Sequence, residues 1–229
     1  MRVRLLPLLV VLSGCASTAS VSGDAFAFNE GTDARVEGAR VYVLEDPSHE
    51  VLTDATGHFV LEGLEVGTDA TLVLDHPDFV AIQTATFEVP AEGLERVTFQ
   101  AVRPNIYDAL AALLSITPDP ERCQMVTTVT RVGRSLYDPG AHGEAGATVT
   151  IDPPLPAESG PIYFNSMVFP DESLTETSDD GGVLFLNVPP GTYTWTAQKD
   201  GVAFRSVRIT CRAGVLVNAS PPWGLQALE

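Results

Sequence analysis

The sequence predicts an all-β protein made of two antiparallel sandwiches joined by a short helix. Three observations support this fold class: apolar residues recur with a period of two, turn-forming clusters separate the runs, and one pattern of turns and strands occurs twice. Alternation of this kind places one set of side chains on a single face, which is typical of a half-buried strand.

Alternating runs occur in both halves of the chain. The first half contains VEGARVYVL, GHFVLEGL and DATLVLDH, and the second half contains GATVTI, GTYTWTAQ and FRSVRITC. Clusters of glycine, proline and aspartate lie between these runs. Short strands bounded in this way indicate antiparallel sheets that pack face to face.

The repeated pattern is TDATGHFVLEGLEVG at residues 53–67 and TSDDGGVLFLNVPPG at residues 177–191. Gly57 and Gly181 are expected to end tight turns at positive φ, which glycine adopts at little cost. Gly67 and Gly191 are expected to close the next turn before another core strand.

The repeat resembles a known family. G-A-x-V-x-V followed by T-D-x-x-G-x-F-x-L-x-x-L-x-x-G is similar to the carboxypeptidase regulatory-like family, a transthyretin-like (prealbumin-like) Greek-key sandwich. In the first copy Glu65 and Val66 replace the usual proline, so that turn departs from the pattern. The resemblance implies a non-catalytic module that is attached to many different partners, and it therefore specifies the fold better than the function.

These patterns divide the chain into six segments. We expect a lipoprotein signal peptide at 1–14, a tether at 15–21, a carboxypeptidase regulatory-like sandwich at 22–103, a helical linker at 104–121, a second, divergent sandwich at 122–220 and a tail at 221–229.

The linker is the one segment with helical spacing. In PNIYDALAALLSITP the apolar residues recur at three- and four-residue intervals, and Asn105 is the expected N-cap. We expect its leucines to pack between the two sandwiches. A helix that binds a partner protein is the alternative.

The first residues predict the destination of the protein. MRVRLLPLLVVLSGCAST has two arginines, then an apolar run much shorter than the ~20 residues of a membrane-spanning helix, then small residues. Its LSGC sequence is similar to the lipobox of bacterial lipoproteins, which implies lipid on Cys15 and an outer-membrane location. An ordinary secretory signal is the alternative. The short tether would hold the first sandwich close to the bilayer.

Cysteine usage is compatible with this destination. If Cys15 carries lipid, Cys123 and Cys211 remain as a pair, and disulfides persist in an exported protein. Each lies on the inward face of a strand-like run, in CQMVTTV and VRITC. We therefore expect a disulfide that stabilises the second sandwich, with two buried free thiols as the alternative.

The formal charge of −17 limits the classes of partner. Such a chain repels nucleic-acid phosphates and anionic headgroups, so we expect no nucleic-acid partner and membrane attachment through lipid alone. An envelope protein or a glycan is the expected partner. A divalent cation is a weaker possibility, with oxygens from Asp75-His76-Pro77-Asp78 or Asp179-Asp180, although aspartates also occur in turns for backbone-bonding reasons alone.

A search for catalytic motifs yields no expected catalytic residue, cofactor or metal. The sequence has no H-E-x-x-H, no G-x-S-x-G and no glycine-rich phosphate loop. The four histidines are dispersed: His49, His58, His76 and His142. We expect a non-catalytic binding or structural module, with a hydrolase that uses an unrecognised acidic site as one alternative.

The second alternative is a carbohydrate-binding module of the starch-binding-like type. Its candidates for stacking on sugars are Trp195, Trp223 and three aromatic residues that we expect to be exposed, Tyr163, Phe164 and Phe169. Those three lie in residues 152–176, where the second copy is longer than the first. Long loops on a rigid scaffold often carry binding function, but this one could equally be decorative. The alternation of GTYTWTAQ places Trp195 in the core.

Overall fold

The chain folds into two β-sandwiches that share one continuous sheet, which confirms the predicted fold class. The computed structural model describes residues 17–31, 33–134 and 142–228. The elements of the first half are β1 (Thr18–Ala27), β2 (Arg40–Val43), β3 (Glu50–Leu52), β4 (His58–Glu65), β5 (Asp69–Asp75), β6 (Ile82–Glu88) and β7 (Phe99–Ala101), followed by α1 (Pro104–Leu113). Those of the second half are β8 (Cys123–Thr130), β9 (Thr148–Asp152), a 3₁₀ helix (Ala157–Ser159), β10 (Ile162–Phe164), β11 (Pro170–Asp171), β12 (Gly182–Val188), β13 (Gly191–Gln198), β14 (Val207–Cys211), β15 (Leu216–Asn218) and β16 (Leu225–Gln226).

Each sandwich has its own aromatic core. In the first, the sheet β4-β1-β7 covers the strands β3-β2-β5-β6, and the rings of Phe59 and Phe99 lie 5.8 Å apart between them. In the second, β12 and β8 cover β9-β13-β14, and Trp195 packs on Phe185 with ring centroids 5.0 Å apart. Alternation along the strands supplies these inward side chains.

A buried threonine makes the same hydrogen bonds in both copies. The Thr53 hydroxyl accepts from the backbone N–H of Ala39 at 2.9 Å and donates to the carbonyl of Val36 at 2.6 Å. Three residues make the same two bonds, at the same distances, in the second copy: Thr177, Ala147 and Glu144. The sequence repeat is therefore a structural repeat, in which one hydroxyl satisfies two buried backbone groups.

Strand pairing joins the two sandwiches. β6 pairs with β15 in parallel and with β14 in antiparallel register, where Thr86 lies opposite Arg208. The fully buried amide of Gln83 donates to the Thr210 carbonyl and accepts from Nε of Arg212 at 2.8 Å. Because a buried amide left unpaired costs about 1–3 kcal/mol, these bonds hold the two edges in one register.

The apolar cores also exchange residues across this junction. Ala85 of β6 packs in the core of the second sandwich, and Leu216 of β15 packs in the core of the first. The two halves therefore form one packed unit. Strand pairing joins the halves, and the helix region also contacts both of them, through Ile106 and Tyr107 on the first core and Leu114 on the second sandwich.

The linker helix itself is present but begins earlier than expected. Its N-cap is Arg103, which makes no side-chain cap bond, and Pro104 occupies the first turn, so the N-cap prediction for Asn105 was wrong. Proline suits this position because its fixed φ is helical and the missing N–H would be unpaired there anyway. Only Ala111 of α1 is fully buried, and Leu113 is exposed.

Both chain termini extend the sheets further than the sequence indicated. β1 begins at Thr18, inside the predicted tether, and pairs with β4 from its first residue. β16 lies inside the predicted tail and pairs with β8 through Leu225 and Val129, in the same parallel arrangement as β7 and β1. Residues 221–228 therefore complete the second sandwich.

The longer segment of the second copy contains regular secondary structure. Its residues form the 3₁₀ helix and the hairpin β10–β11, which adds two strands to the edge of β12. Tyr163 is only 2% exposed, and its hydroxyl accepts from the N–H of Val149 at 2.9 Å. The expectation that Tyr163 is an exposed aromatic residue was wrong, because its strand side chain points into the core.

A disulfide between Cys123 and Cys211 joins the first residue of β8 to the last residue of β14. Its Cα atoms lie 5.8 Å apart, and both residues belong to the second core. This confirms the disulfide prediction, which rested on the inward face of each strand run.

We predict that Gly57→Ala costs more stability than Gly67→Ala. Both glycines have positive φ, +72° and +82°, so alanine at either position costs about 1–2 kcal/mol in backbone strain. A Cβ at Gly57 would also lie 2.4 Å from the carbonyl oxygen of Ala25, whereas one at Gly67 would have no atom within 4 Å. Urea unfolding should show a further loss of about 1–3 kcal/mol for Gly57→Ala, as in other overpacked sites. Equal losses would contradict this account of the turn.

We predict that reduction of the disulfide lowers the melting temperature of the whole chain in a single transition. The bond closes a loop with a sequence separation of 88, for which chain entropy gives at most about 4.5 kcal/mol. Because β14 carries Cys211 and also pairs with β6, the first sandwich loses the same support. Calorimetry with and without reductant measures this, and the control is an alkylated wild type that was never reduced. A first sandwich that melts separately and unshifted would contradict the shared sheet.

Candidate functional site

An apolar cleft of about 590 Å³ lies at the junction of the two sandwiches. Val126 of β8, Leu184 of β12 and Leu216 of β15 form its floor. Leu110 and Leu114 of the α1 region form one wall. Small-molecule sites in other proteins are mostly apolar clefts with volumes of about 300–1,000 Å³.

The floor of the cleft is the outer face of the second sandwich, and the first sandwich differs at the equivalent positions. The pairing of Ser22 with Val60 in the first copy corresponds to the pairing of Val126 with Leu184 in the second. Val60 is 40% exposed, whereas Leu184 is 9% exposed. The outward face of β4 continues to a glutamate, Glu62, but that of β12 continues to another leucine. At these positions the outer face is apolar in the second copy and partly polar in the first.

The helix region covers part of this face. Leu114 and Ile116 pack against three buried apolar residues of the second sandwich: Ile162, Leu184 and Leu186. The rest of the face remains open between α1 and the hairpin β10–β11. The short helix is therefore a wall of the cleft, and this explains why it carries leucines although it does not form the junction.

The rim opposite the helix is the tip of the β10–β11 hairpin. Oδ1 of Asn165 accepts from the N–H groups of Met167 and Phe169 at 3.0 and 3.3 Å, which fixes the turn. Val168 has a φ of +64°, a strained value for a β-branched residue. Met167 is 72% exposed, and Val168 and Phe169 are also exposed. The turn thus holds apolar side chains in solvent beside an apolar cleft.

Most polar groups of the floor are already paired within the protein. The Gln124 amide donates to Oδ1 of Asn187 at 2.7 Å and accepts from its backbone N–H at 2.9 Å. The hydroxyls of Ser220 and Thr128 bond each other at 3.0 Å. The cleft therefore offers mainly carbon surface to a ligand.

Asp180 supplies the carboxylate of the cleft. Its Oδ2 accepts from the N–H of Gly182 at 3.0 Å. Burial raises the pKa of this carboxyl, and the bond from Gly182 and the nearby His142 oppose that rise in part. The charged form is thus less well solvated than an exposed aspartate, and a cation beside it would be stabilising.

The remaining sequence candidates do not converge on this cleft. Gly57, Gly181 and Gly67 lie in turns at positive φ, and Gly191 begins β13. The disulfide is in the core. Cys15 and the signal peptide lie outside the described residues, so lipidation stays a prediction. Within the residues that the structure describes, no helix has the length and apolar character to cross a bilayer.

The two tryptophans differ in burial, since Trp195 is in the core and Trp223 is only partly buried. Trp195 is 0% exposed, as its strand alternation indicated. Trp223 packs edge-on against Phe87, and the guanidinium of Arg205 lies 4.2 Å from its ring centroid. Of the aromatic residues proposed for the long segment, Phe169 is exposed and Phe164 lines the cleft.

The acidic turns do not assemble a metal site in the described ranges, 17–31, 33–134 and 142–228. No group of three or more potential ligands converges there. Nδ1 of His76 accepts from the N–H of Asp78 at 3.2 Å, and its ring packs on Phe79. His58 contacts Asp24 at 3.2 Å, and His49 contacts Asp46 at 3.1 Å.

The cleft was missed from the sequence, although a signal was present. The run Val183–Leu186 is apolar on both faces of its strand, whereas a strand with one solvated face alternates. Comparison of the two copies locates the change, because the outward positions become apolar in the second copy only.

Neither protein-family models nor curated proteins match this chain. The resemblance to the carboxypeptidase regulatory-like family accordingly stays a prediction based on its motif.

Several solved structures are weakly similar to the chain. The TIE protein of Bacillus anthracis has 14% identity and a TM-score of 0.31 over 88% of this chain, which spans 33% of that protein. The shaft pilin SpaA of Lactobacillus rhamnosus GG has 11% identity and a TM-score of 0.26 over 92% of this chain and 97% of its own. GBS52, the minor pilin of Streptococcus agalactiae, has 10% identity and a TM-score of 0.29 over 91% of this chain and 95% of its own. Values this low assign no function.

Proposed function

We propose that this protein is a non-catalytic binding module of the bacterial cell envelope, anchored by lipid on Cys15, and that the junction cleft is its binding site. The observation that carries the proposal is the apolar floor, which one copy of the repeat has and the other lacks. An exposed apolar surface beside a cleft is costly in water and typically marks a site of interaction.

Binding suits the cleft better than catalysis because its surface is mostly carbon. Asp180 and His142 are its only titratable side chains other than Tyr107, among the described residues that line it. The strand pairing of β6 with β14 and β15 fixes the relative position of the two halves. A site with fixed walls loses little conformational entropy when a ligand enters.

The first strand separates the proposed anchor from the cleft. β1 starts at Thr18, shortly after Cys15, and ends at Ala27, next to Phe28 on the wall of the cleft. A ten-residue strand spans roughly 30 Å. In an anchored molecule this distance supports a ligand taken from the aqueous envelope rather than from the bilayer beneath the anchor.

We predict that Cys15→Ser releases the protein from the membrane fraction. The serine cannot accept lipid on sulfur, and the signal would be left unprocessed or cleaved to give a soluble protein. Detergent-phase partitioning of cells that produce either form measures this. The control is Ser17→Ala, which leaves the cysteine in place. Equal partitioning of Cys15→Ser and wild type would overturn the anchor.

We predict that Leu184→Phe weakens binding of Nile red, an uncharged apolar dye, by about tenfold, since the larger ring occupies part of the cleft (~1.4 kcal/mol). Val60→Phe makes the same kind of change at the equivalent position of the first copy and should leave binding unchanged. Fluorescence titration measures the affinity for the dye. Thermal melting of both variants shows whether a loss of binding comes from a filled cleft or from an unfolded protein. Wild type that binds no dye, or a folded Leu184→Phe protein that binds it as wild type does, would overturn the cleft as the site.

A further inference from the structure

Asp180 is the one carboxylate among the described residues that line the cleft. His142 lies near it, and no described lining residue is an arginine or a lysine. The whole chain carries a formal charge of −17. A fatty acid or an anionic phospholipid would therefore meet a carboxylate and a repulsive field, with no lysine or arginine in the lining to pair with its headgroup.

The hydrogen bonds of the floor argue against an extended peptide. Gln124 is paired with Asn187, and Ser220 with Thr128, while Nδ2 of Asn218 bonds the side chain of another lining residue. A peptide backbone brings one donor and one acceptor for each residue, and each group left unpaired on burial costs affinity. A ligand with a mostly aliphatic body avoids that cost.

Asp180 occupies the position where a cationic head would be stabilised. It lines the cleft at the Gly182 end of β12 and is half-buried in the turn before that strand. The apolar floor of Val126 and Leu184 continues from this end. A charge-assisted hydrogen bond to a partly desolvated carboxylate is stronger than one between neutral groups.

We propose, building on the proposed binding function, that the cleft takes an amphiphile with an aliphatic body and an amine head, with Asp180 receiving the amine. The aliphatic body lies on the floor between the helix region and the hairpin tip. Neutral amphiphiles of the same length bind more weakly, and anionic ones bind least.

The test is displacement of Nile red from the soluble Cys15→Ser protein at neutral pH by dodecylamine, dodecanol or dodecanoate. The two ionic amphiphiles are used below their micelle concentrations and dodecanol below its solubility limit. We expect dodecylamine to compete about tenfold better than dodecanoate, with dodecanol between them. Asp180→Asn keeps an acceptor for the Gly182 N–H but removes the charge. In this variant the affinities of dodecylamine and dodecanoate should differ by no more than about threefold, and the affinity of dodecanol should be unchanged. Glu62→Gln removes an exposed charge from the first copy and should preserve the wild-type order.

The outcomes separate the two proposals. Nile red that binds normally but is displaced equally by amine and carboxylate, or better by carboxylate, would overturn the inference and leave the cleft as a binding site. Wild-type selectivity that persists in Asp180→Asn would overturn the role of Asp180. A protein that binds no Nile red would remove both proposals together.

Discussion

The pairing of β6 with β14 and β15 is the interaction on which the rest of the structure depends. It joins two sandwiches, each with an open edge, into one continuous sheet. It also places Ala85 of the first half in the core of the second sandwich and Leu216 of the second half in the core of the first. The buried amide of Gln83 fixes the register at this point, since any slip would leave it without Thr210 and Arg212. The cleft exists because this pairing leaves the outer face of the second sandwich beside the end of the first.

The two copies share one scaffold but differ on its outer face. Their turns and buried threonines are equivalent, so the constraints of the fold are the same in both. The difference lies on outward positions, where Val60 and Glu62 of the first copy correspond to Leu184 and Leu186 of the second. Outward positions tolerate such changes because they do not alter the core, and the helix region then covers part of the new apolar face.

The features that depend on local sequence pattern were predicted from the sequence. Alternation predicted the strands, and the repeat predicted two sandwiches. The position of both cysteines on the inward faces of their strands predicted the bond between Cys123 and Cys211. The sequence did not predict the junction, because an edge pairing between distant strands leaves no local pattern. The two strand residues of β16 are too few to show alternation. The cleft was missed because the sequence does not show which residues lie next to an outward leucine in space, and those neighbours decide whether it lines a cleft.

The shared sheet also constrains how the chain can fold. β6 finds its partners more than a hundred residues later, in β14 and β15. Contacts of such large sequence separation require costly loop closure and form slowly. Until the last strands of the chain are made, the edge of β6 that they occupy has no partner and stays open to pairing with other chains. The first half is therefore incomplete for an interval during synthesis, and a chaperone that covers strand edges would protect it then.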